Sequence, residues 1–241
     1  MQLALEEFHA FSQGNDIKAE LKNGWCAGIT AAIGGVIPNM QEGGYAQPED
    51  WLVAAYGCAR KALLSLAAQG KDSRQLADVE GLQHFLAQAK DSTDICDQIH
   101  TAAFNARVCR VAMSVADWVP ASVSGPVTYM LALGDAVFKT KWSIWRANHV
   151  GLLVRGGTKL LLFDPNYGLG RFRICDERPL TLAEVTKAIA TLAWKKGYSA
   201  SFGNCTVAIA VLDEDPFALR FSHAQMAQVD ALSDAGRLFQ K

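Results

Sequence analysis

Two apolar runs decide the fold of this chain: NHVGLLV at Asn148–Val154 and LLLFDPNYG at Leu160–Gly168. Each run is rich in Leu and Val and is bounded by Gly or Pro, which is typical of a short strand. The residues Arg155-Gly156-Gly157 separate the two runs and suit a turn. We therefore predict an antiparallel β-hairpin here.

One polar residue stands against each apolar run of this hairpin. His149 lies at the start of the first strand, and Asp164 lies at the end of the second. In an antiparallel hairpin the start of one strand lies beside the end of the next, so we expect the two side chains to meet. A histidine held by a carboxylate is one half of a catalytic apparatus, and the other half is a nucleophile.

A candidate nucleophile lies far upstream, at Cys26. The pair Asn23-Gly24 indicates a turn, and the small apolar residues after Cys26 predict a buried helix that ends at Gly34-Gly35. Cys26 would then occupy the N-terminus of that helix. The helix dipole and the free N–H groups at this end favour an anion, including a thiolate.

These three residues can divide the work of nucleophilic catalysis. A thiol attacks a carbonyl as its thiolate, so it needs a histidine that takes its proton and a carboxylate that orients that histidine. Cys26, His149 and Asp164 fit these roles. The oxyanion needs donors, and the candidates are the backbone N–H of Cys26 and the side chain of Asn23.

The composition narrows the class of protein. The chain has 241 residues, half of them hydrophobic, and a formal net charge of -1, so bulk attraction to nucleic acid or to an anionic membrane is not expected. There is no run of about 18 apolar residues, which argues against a transmembrane helix. The segment Met1–His9 carries acidic residues and no basic ones, so no cleavable signal peptide is predicted and synthesis in the cytoplasm is expected.

The cysteines do not suggest a metal site. They show no CxxC pair and no nearby His cluster, so we predict free thiols, no bound metal and no cofactor. The six positions are Cys26, Cys58, Cys96, Cys109, Cys175 and Cys205.

The remaining patterns predict one α+β domain over residues 1–241, with a helical part at about 1–120 packed on an antiparallel sheet formed by about 121–241. We predict helices within 1–22, from Pro48, over 73–90, from after Ser92 to near Trp118, over 181–196 and at about 223–239. Strands are predicted at 127–133, 171–175 and 204–212, and a basic-aromatic loop at 139–146.

Three segments together resemble the YopT/AvrPphB family of papain-like cysteine proteases, which are secreted effectors of pathogenic bacteria. They are GWCAG at Gly24–Gly28, HVG at His149–Gly151 and FDPNYG at Phe163–Gly168, and the resemblance spans about residues 20–215. It implies a papain-like fold. It also implies that Cys26 is the nucleophile, with the general base and the orienting acid supplied by the histidine and aspartate of the hairpin.

The resemblance departs from the papain pattern at one place. Papain-like enzymes often carry a Gln six residues before the cysteine, and this chain has Glu20 there. Asn23 is therefore the substitute candidate for the oxyanion donor. Candidates for the substrate groove are Trp25, Trp142, Trp145 and Asn166.

The resemblance also implies a setting. It predicts an endopeptidase made in a bacterial cytoplasm, secreted into a host or target cell, and acting as a monomer on a protein or peptide substrate. A secretion chaperone or an immunity protein would be a further partner.

Two alternatives stay open at this point. The same three groups serve peptidoglycan amidases, deamidases, and acyltransferases or transglutaminases, any of which would suit an antibacterial or host-directed toxin. A binding module in which Cys26 is inert is the second alternative.

Overall fold

A computed structural model of the chain describes residues 3–17, 24–37, 43–86, 106–112, 117–119, 127–139, 144–175, 180–201 and 206–212. Five helices lie within these residues: α1 Gln13–Asp16, α2 Cys26–Gly34, α3 Pro48–Ala68, α4 Arg74–Leu86 and α5 Leu182–Lys195. The same residues contain ten strands: β1 Leu3–Ala10, β2 Ala106–Ala112, β3 Asp117–Val119, β4 Val127–Lys139, β5 Ile144–Gly156, β6 Lys159–Asp164, β7 Gly168–Ile174, β8 Leu180–Thr181, β9 Ser199–Ser201 and β10 Thr206–Leu212.

The predicted hairpin forms the middle of a mixed helix and antiparallel-sheet fold. The main sheet has the strand order β1-β7-β6-β5-β4-β10-β2, with β9 paired to β4, and its described strand pairs are antiparallel. Strand β10 lies between β4 and β2, so its apolar sequence fits a central strand. A separate pair joins β3 to β8. The α+β class and the strands predicted around the hairpin are thus confirmed.

The hairpin turn begins two residues later, and ends one residue later, than predicted. Strand β5 ends at Gly156 and β6 begins at Lys159, so Gly157 and Thr158 form a two-residue turn. Gly157 has φ +56°, a conformation that favours glycine. The N–H of Thr158 donates to the carboxylate of Glu49 over 3.0 Å, which fixes the turn against the first turn of α3.

Helices cover both faces of the hairpin region. Leu152 and Phe163 belong to a buried cluster with residues of α2 and α3. Leu169 of β7 belongs to that cluster too, whereas a Cβ at the next residue, Gly170, would lie 2.6 Å from Leu192 of α5. Because successive strand residues point to opposite faces, α5 lies on the face opposite to α2 and α3. This double cover explains why both strands of the hairpin are almost continuously apolar.

Helices α2 to α5 confirm the helices predicted after Cys26, from Pro48, over 73–90 and over 181–196, as far as the described residues extend. Pro48 is the first residue of α3, a position that suits proline, and Glu49 and Asp50 lie in the same first turn, where the helix dipole favours acidic residues. In α2 the small residues serve close packing, because a Cβ at Gly28 would lie 2.3 Å from the carbonyl oxygen of Val79 in α4. None of the helices that the structure describes combines the length and apolar character needed to cross a bilayer.

The N-terminal helix predicted from Leu3, Leu5 and Phe8 is wrong. Residues Leu3–Ala10 form strand β1, which pairs antiparallel with β7. Charge also favours this pairing, because Glu6 forms ion pairs with Lys159 of β6 and with Arg171 and Arg173 of β7. The spacing of three apolar residues could not reveal these partners, since they lie about 150 positions away along the chain.

The long helix predicted from after Ser92 is also wrong where it can be compared. Residues Ala106–Ala112 form strand β2, and Asp117–Val119 form β3. Pairing of β2 with β10 overrides the helical spacing of the small apolar residues, as tertiary context does for β-forming sequences. With β1, β2 and β3 in the N-terminal half, the division into a helical part before about residue 120 and a sheet part after it does not hold. The rest of that helix and the helix at 223–239 lie outside the described residues.

The basic-aromatic loop predicted at 139–146 is strand at the residues that the structure describes, 139 and 144–146. Lys139 ends β4, and Trp145 and Arg146 lie on β5, where the backbone of Trp145 pairs with that of Phe138. The register of β4 and β5 shifts between Leu133 and Ala136, and pairing of the two strands resumes beyond that shift.

Candidate active site

The hairpin brings His149 and Asp164 together. Its register pairs Leu152 with Phe163, so the strand segment that begins at His149 lies beside the one that ends at Asp164. Nε2 of His149 lies 2.9 Å from Oδ2 of Asp164, and both side chains are buried.

The pair favours a charged imidazole in spite of its burial. Burial by itself lowers the pKa of His149, but the charge of Asp164 and the hydrogen bond to its carboxylate raise it, and Cys26 raises it further. The net effect raises the pKa of His149 to about 10. An imidazolium next to a carboxylate is the state that a thiolate partner requires.

A turn fixes the carboxylate of Asp164. Its second oxygen, Oδ1, accepts the N–H of Asn166 over 2.8 Å, and its backbone oxygen accepts the N–H of Tyr167 over 3.1 Å. Asp164 therefore caps the Asp-Pro-Asn turn and contacts the histidine at the same time. Burial raises the pKa of Tyr167, and the nearby charge of Asp164 raises it further, so the phenol next to the carboxylate stays protonated.

Cys26 completes the contact with the histidine. It is the first residue of α2, after the N-cap residue Trp25, and it is partly exposed. Its side chain lies near enough to His149 to raise the pKa of the imidazole. Because Nε2 of that ring is engaged by Asp164, Nδ1 is the nitrogen that remains for the thiol. A partly exposed thiol thus lies beside a buried imidazole whose orientation is fixed by Asp164.

Two further contacts hold α2 in place. The N–H of Gly28 donates to Oε1 of Gln83 in α4 over 3.0 Å, and the hydroxyl of Thr30 donates to the backbone oxygen of Val150 over 3.2 Å. Val150 follows the histidine directly on β5. The N–H groups of Cys26 and Ala27 belong to the first turn of α2, where backbone N–H groups have no acceptor within the helix, so they are the candidates for binding an oxyanion.

The structure adds a residue that the sequence reasoning missed, Gln13 of α1. Its Oε1 accepts the N–H of Trp25 over 2.6 Å, and its Nε2 donates to Oδ1 of Asn166 over 2.7 Å. These bonds connect the segment before the cysteine to the turn after the aspartate. The result is a closed circuit, here called the site ring, formed by Cys26, Trp25, Gln13, Asn166, Asp164 and His149.

No signal in the sequence marks Gln13. It stands in the polar stretch SQGND, where a solvent-exposed loop is the ordinary expectation, and it is 153 positions from its partner Asn166. Only its burial, with 9 % of its surface exposed, distinguishes it from its neighbours in that stretch.

The other expected site residues have different positions. Trp25 is 6 % exposed and belongs to the hydrophobic core cluster, so the structure gives it a packing role and not a groove surface. Asn166 is partly buried in the site ring, and Trp145 lies on β5. Asn23 and Trp142 lie outside the described residues. Across the part of the chain that the structure describes, no group of three or more His, Cys, Asp or Glu side chains is arranged to hold a metal ion.

Comparison with known proteins gives little. No protein-family model matches the chain, and no curated protein matches it. A solved structure of the Pseudomonas avirulence protein AvrPphB aligns with 79 % of this chain and 92 % of its own, at 12 % identity and a TM-score of 0.33. A likeness at this TM-score and identity carries no argument about fold or function.

Proposed function

We propose that the chain is a cysteine endopeptidase of papain-like fold, in which Cys26 is the nucleophile, His149 the general base and Asp164 the orienting acid. One observation carries the proposal: a partly exposed thiol at a helix N-terminus raises the pKa of a buried imidazole, whose Nε2 lies 2.9 Å from a buried carboxylate. This is the arrangement that activates a thiol for acyl transfer.

In the first half-reaction, the thiolate of Cys26 attacks the carbonyl carbon of the scissile peptide bond. The carbonyl oxygen becomes an oxyanion, which the N–H groups of Cys26 and Ala27 stabilise. The carbon–nitrogen bond then breaks, the imidazolium of His149 gives its proton to the leaving amine, and a thioester remains on the sulfur. The raised pKa of His149 supports its role as the proton store for this step.

In the second half-reaction, neutral His149 takes a proton from a water molecule that attacks the thioester carbon. The carbon–sulfur bond breaks, the carboxylic acid product leaves, and the thiolate–imidazolium pair with Cys26 is restored. Asp164 holds the imidazole in the same orientation throughout. Its Oδ2 contacts the imidazole, and its Oδ1 is fixed by the N–H of Asn166.

The proposal includes a biological class, a bacterial effector that acts on a protein of a host or target cell. It rests on the combined segments around Cys26, His149 and Asp164, which resemble the YopT/AvrPphB family. The same three groups would also support amide hydrolysis of glutamine side chains or of cell-wall peptides, so the product identifies the reaction.

The first experiment tests the thiol. The purified chain is treated near neutral pH with iodoacetamide or an epoxide probe, and the labelled cysteine is identified by mass spectrometry. We expect selective labelling of Cys26 that His149→Ala lowers by about 100-fold or more, following the usual contribution of a general base. Cys58→Ser is the matched control, because Cys58 is another partly exposed cysteine, outside the site, and its loss should leave the labelling of Cys26 unchanged.

The second experiment identifies the reaction. A peptide library made from a host proteome is incubated with the wild type and with Cys26→Ala, and new N-termini are sequenced. New N-termini made only by the wild type would support the endopeptidase. Conversion of glutamine to glutamate without cleavage would identify a deamidase. Release of peptides from purified peptidoglycan, incubated in parallel, without cleavage of the library would identify an amidase. No labelling of Cys26 near neutral pH would overturn the proposal.

A further inference from the structure

We propose that Gln13 is a positioning residue that joins the nucleophile end of α2 to the turn carrying the acid, and so holds Cys26 against His149. The inference rests on the proposed function, since it assigns Gln13 a part in the same reaction. It arises from the site ring: the only side chain in that ring from outside α2 and the hairpin region is the amide of Gln13.

Both ends of the contact are adjacent to the chemistry. Trp25, whose N–H donates to Oε1 of Gln13, directly precedes Cys26. Asn166, whose Oδ1 accepts from Nε2 of Gln13, donates its own N–H to the carboxylate of Asp164. A shift of the glutamine therefore moves the sulfur side and the acid side of the site relative to each other.

The segment that carries Gln13 is itself firmly held. Phe11 and Ile17, on either side of it, are buried in the core, and the ring of Phe11 packs against Phe163 with centroids 6.1 Å apart. The backbone N–H of Gln13 donates to the oxygen of Pro165 over 2.8 Å. A side chain on such a rigid base can fix its partners, whereas one on a loose loop could not.

The chemistry of this position requires an amide. One partner of Gln13 is a donor, the N–H of Trp25, and the other partner is an acceptor, Oδ1 of Asn166. A glutamine side chain offers an acceptor and a donor together, while methionine has nearly the same shape and offers neither a donor nor a strong acceptor. Gln13→Met therefore breaks both links with little change in volume.

Misplacement of the nucleophile has a measurable consequence. A displacement of about 1 Å in a reacting group can lower the rate about 100-fold. For Gln13→Met we expect kcat to fall about 10-fold to 100-fold with little change in KM, because the substrate surface stays intact while the sulfur and the imidazole separate.

The test compares the alkylation rate of Cys26 by iodoacetamide near neutral pH with the rate at about pH 10, where an ordinary thiol with a pKa of about 8.5 is ionised without help. We expect Gln13→Met to lower the ratio of the two rates about tenfold or more, because only the rate near neutral pH needs the imidazole close by. Circular dichroism at both pH values confirms that each variant is folded, so that the ratio reports the site and not the folded fraction.

The matched control is Gln83→Met. Gln83 also accepts a backbone N–H from the first turn of α2, that of Gly28, but it lies outside the site ring. Its loss should lower the free energy of unfolding and leave the alkylation ratio unchanged. An equal fall of the ratio in both variants would mean that Gln13 merely supports α2, and the proposal would be overturned.

A double-mutant cycle with Asn166→Ala completes the test. If both residues act through one hydrogen bond, the double variant with Gln13→Met should be no worse than the poorer single variant. If the two substitutions lower the alkylation ratio independently, so that their effects multiply, the hydrogen bond between Gln13 and Asn166 does not act as part of the site ring. If His149→Ala lowers the alkylation ratio but Gln13→Met does not, this inference alone is overturned. If His149→Ala also leaves the ratio at its wild-type value, the proposed function is overturned with it.

Discussion

Nε2 of His149 lies 2.9 Å from Oδ2 of Asp164, and each side chain is 2 % exposed. A pair so completely removed from water is expensive to separate, because removal of one partner leaves the other charge buried without compensation. The pair therefore links stability and chemistry in one contact.

Asp164→Asn should lower kcat about 1,000-fold to 10,000-fold, because the amide no longer stabilises the imidazolium and favours the wrong tautomer of His149. The measurement is the steady-state rate on a peptide substrate found in the library experiment. Asp72→Asn is the control, since Asp72 is an exposed aspartate between α3 and α4. A loss of less than about tenfold in Asp164→Asn would contradict an orienting role.

The pair should also give the wild type a specific pH dependence of stability. The folded pKa of His149, about 10, is raised above the unfolded value of 6.5, so protonated His149 adds stability that is complete below pH 6.5 and is lost as pH rises towards 10. The free energy of unfolding, measured with urea across this window, should therefore fall more in the wild type than in Asp164→Asn.

This pH comparison has a direct counter-result. In Asp164→Asn the attraction to the carboxylate is gone, so burial, the largest influence on the pKa of His149, is opposed only by Cys26. Little stabilisation by the protonated ring is then left to lose above pH 6.5. Parallel stability curves for the two proteins over the window would show that the pair does not hold the proton.

Gly28→Ala should destabilise the fold by about 1–3 kcal/mol, because the new Cβ would lie 2.3 Å from the backbone oxygen of Val79 and 2.9 Å from the backbone nitrogen of Gln83. Urea unfolding measures the change. Gly57→Ala in the interior of α3 is the matched control: its Cβ meets nothing within 4 Å, so it should stabilise by about 0.5–1 kcal/mol through the helix preference for Ala. The same sign for both variants would contradict close packing of α2 on α4.

Lys196→Met should loosen the segment that carries Gln13. Nζ of Lys196 donates to the backbone oxygen of Phe11 over 2.9 Å, and burial lowers the pKa of this half-buried lysine. Loss of the bond should lower the free energy of unfolding by about 1–3 kcal/mol and should also lower the alkylation ratio of Cys26.

Lys187→Met is the control for this last change, because Lys187 is an exposed lysine on α5. It should alter the free energy of unfolding by less than about 0.5 kcal/mol. An unchanged alkylation ratio in Lys196→Met, together with a loss of stability, would separate the anchoring of Phe11 from the position of Gln13.

The hairpin could be predicted from the sequence because its signals are local. Two Leu- and Val-rich runs with Gly between them leave few alternatives to paired strands. Antiparallel pairing then brings the start of one strand, with His149, beside the end of the other, with Asp164. The helix after Cys26 is equally local, since its small residues and the closing Gly34-Gly35 mark both ends. The meeting of thiol, imidazole and carboxylate followed from these elements and from the chemistry of the three groups.

Tertiary structure decided the remaining features. Strands β1 and β2 have apolar spacing that fits a helix, and only pairing with β7 and β10, more than ninety positions away in sequence, makes them strands. The sequence around Gln13 indicates a loop, because its partners, Trp25 and Asn166, come close to it only in the folded chain. Sequence alone therefore determined which groups carry the proposed chemistry, whereas long-range hydrogen bonds, which leave no local pattern, determined what holds them in register.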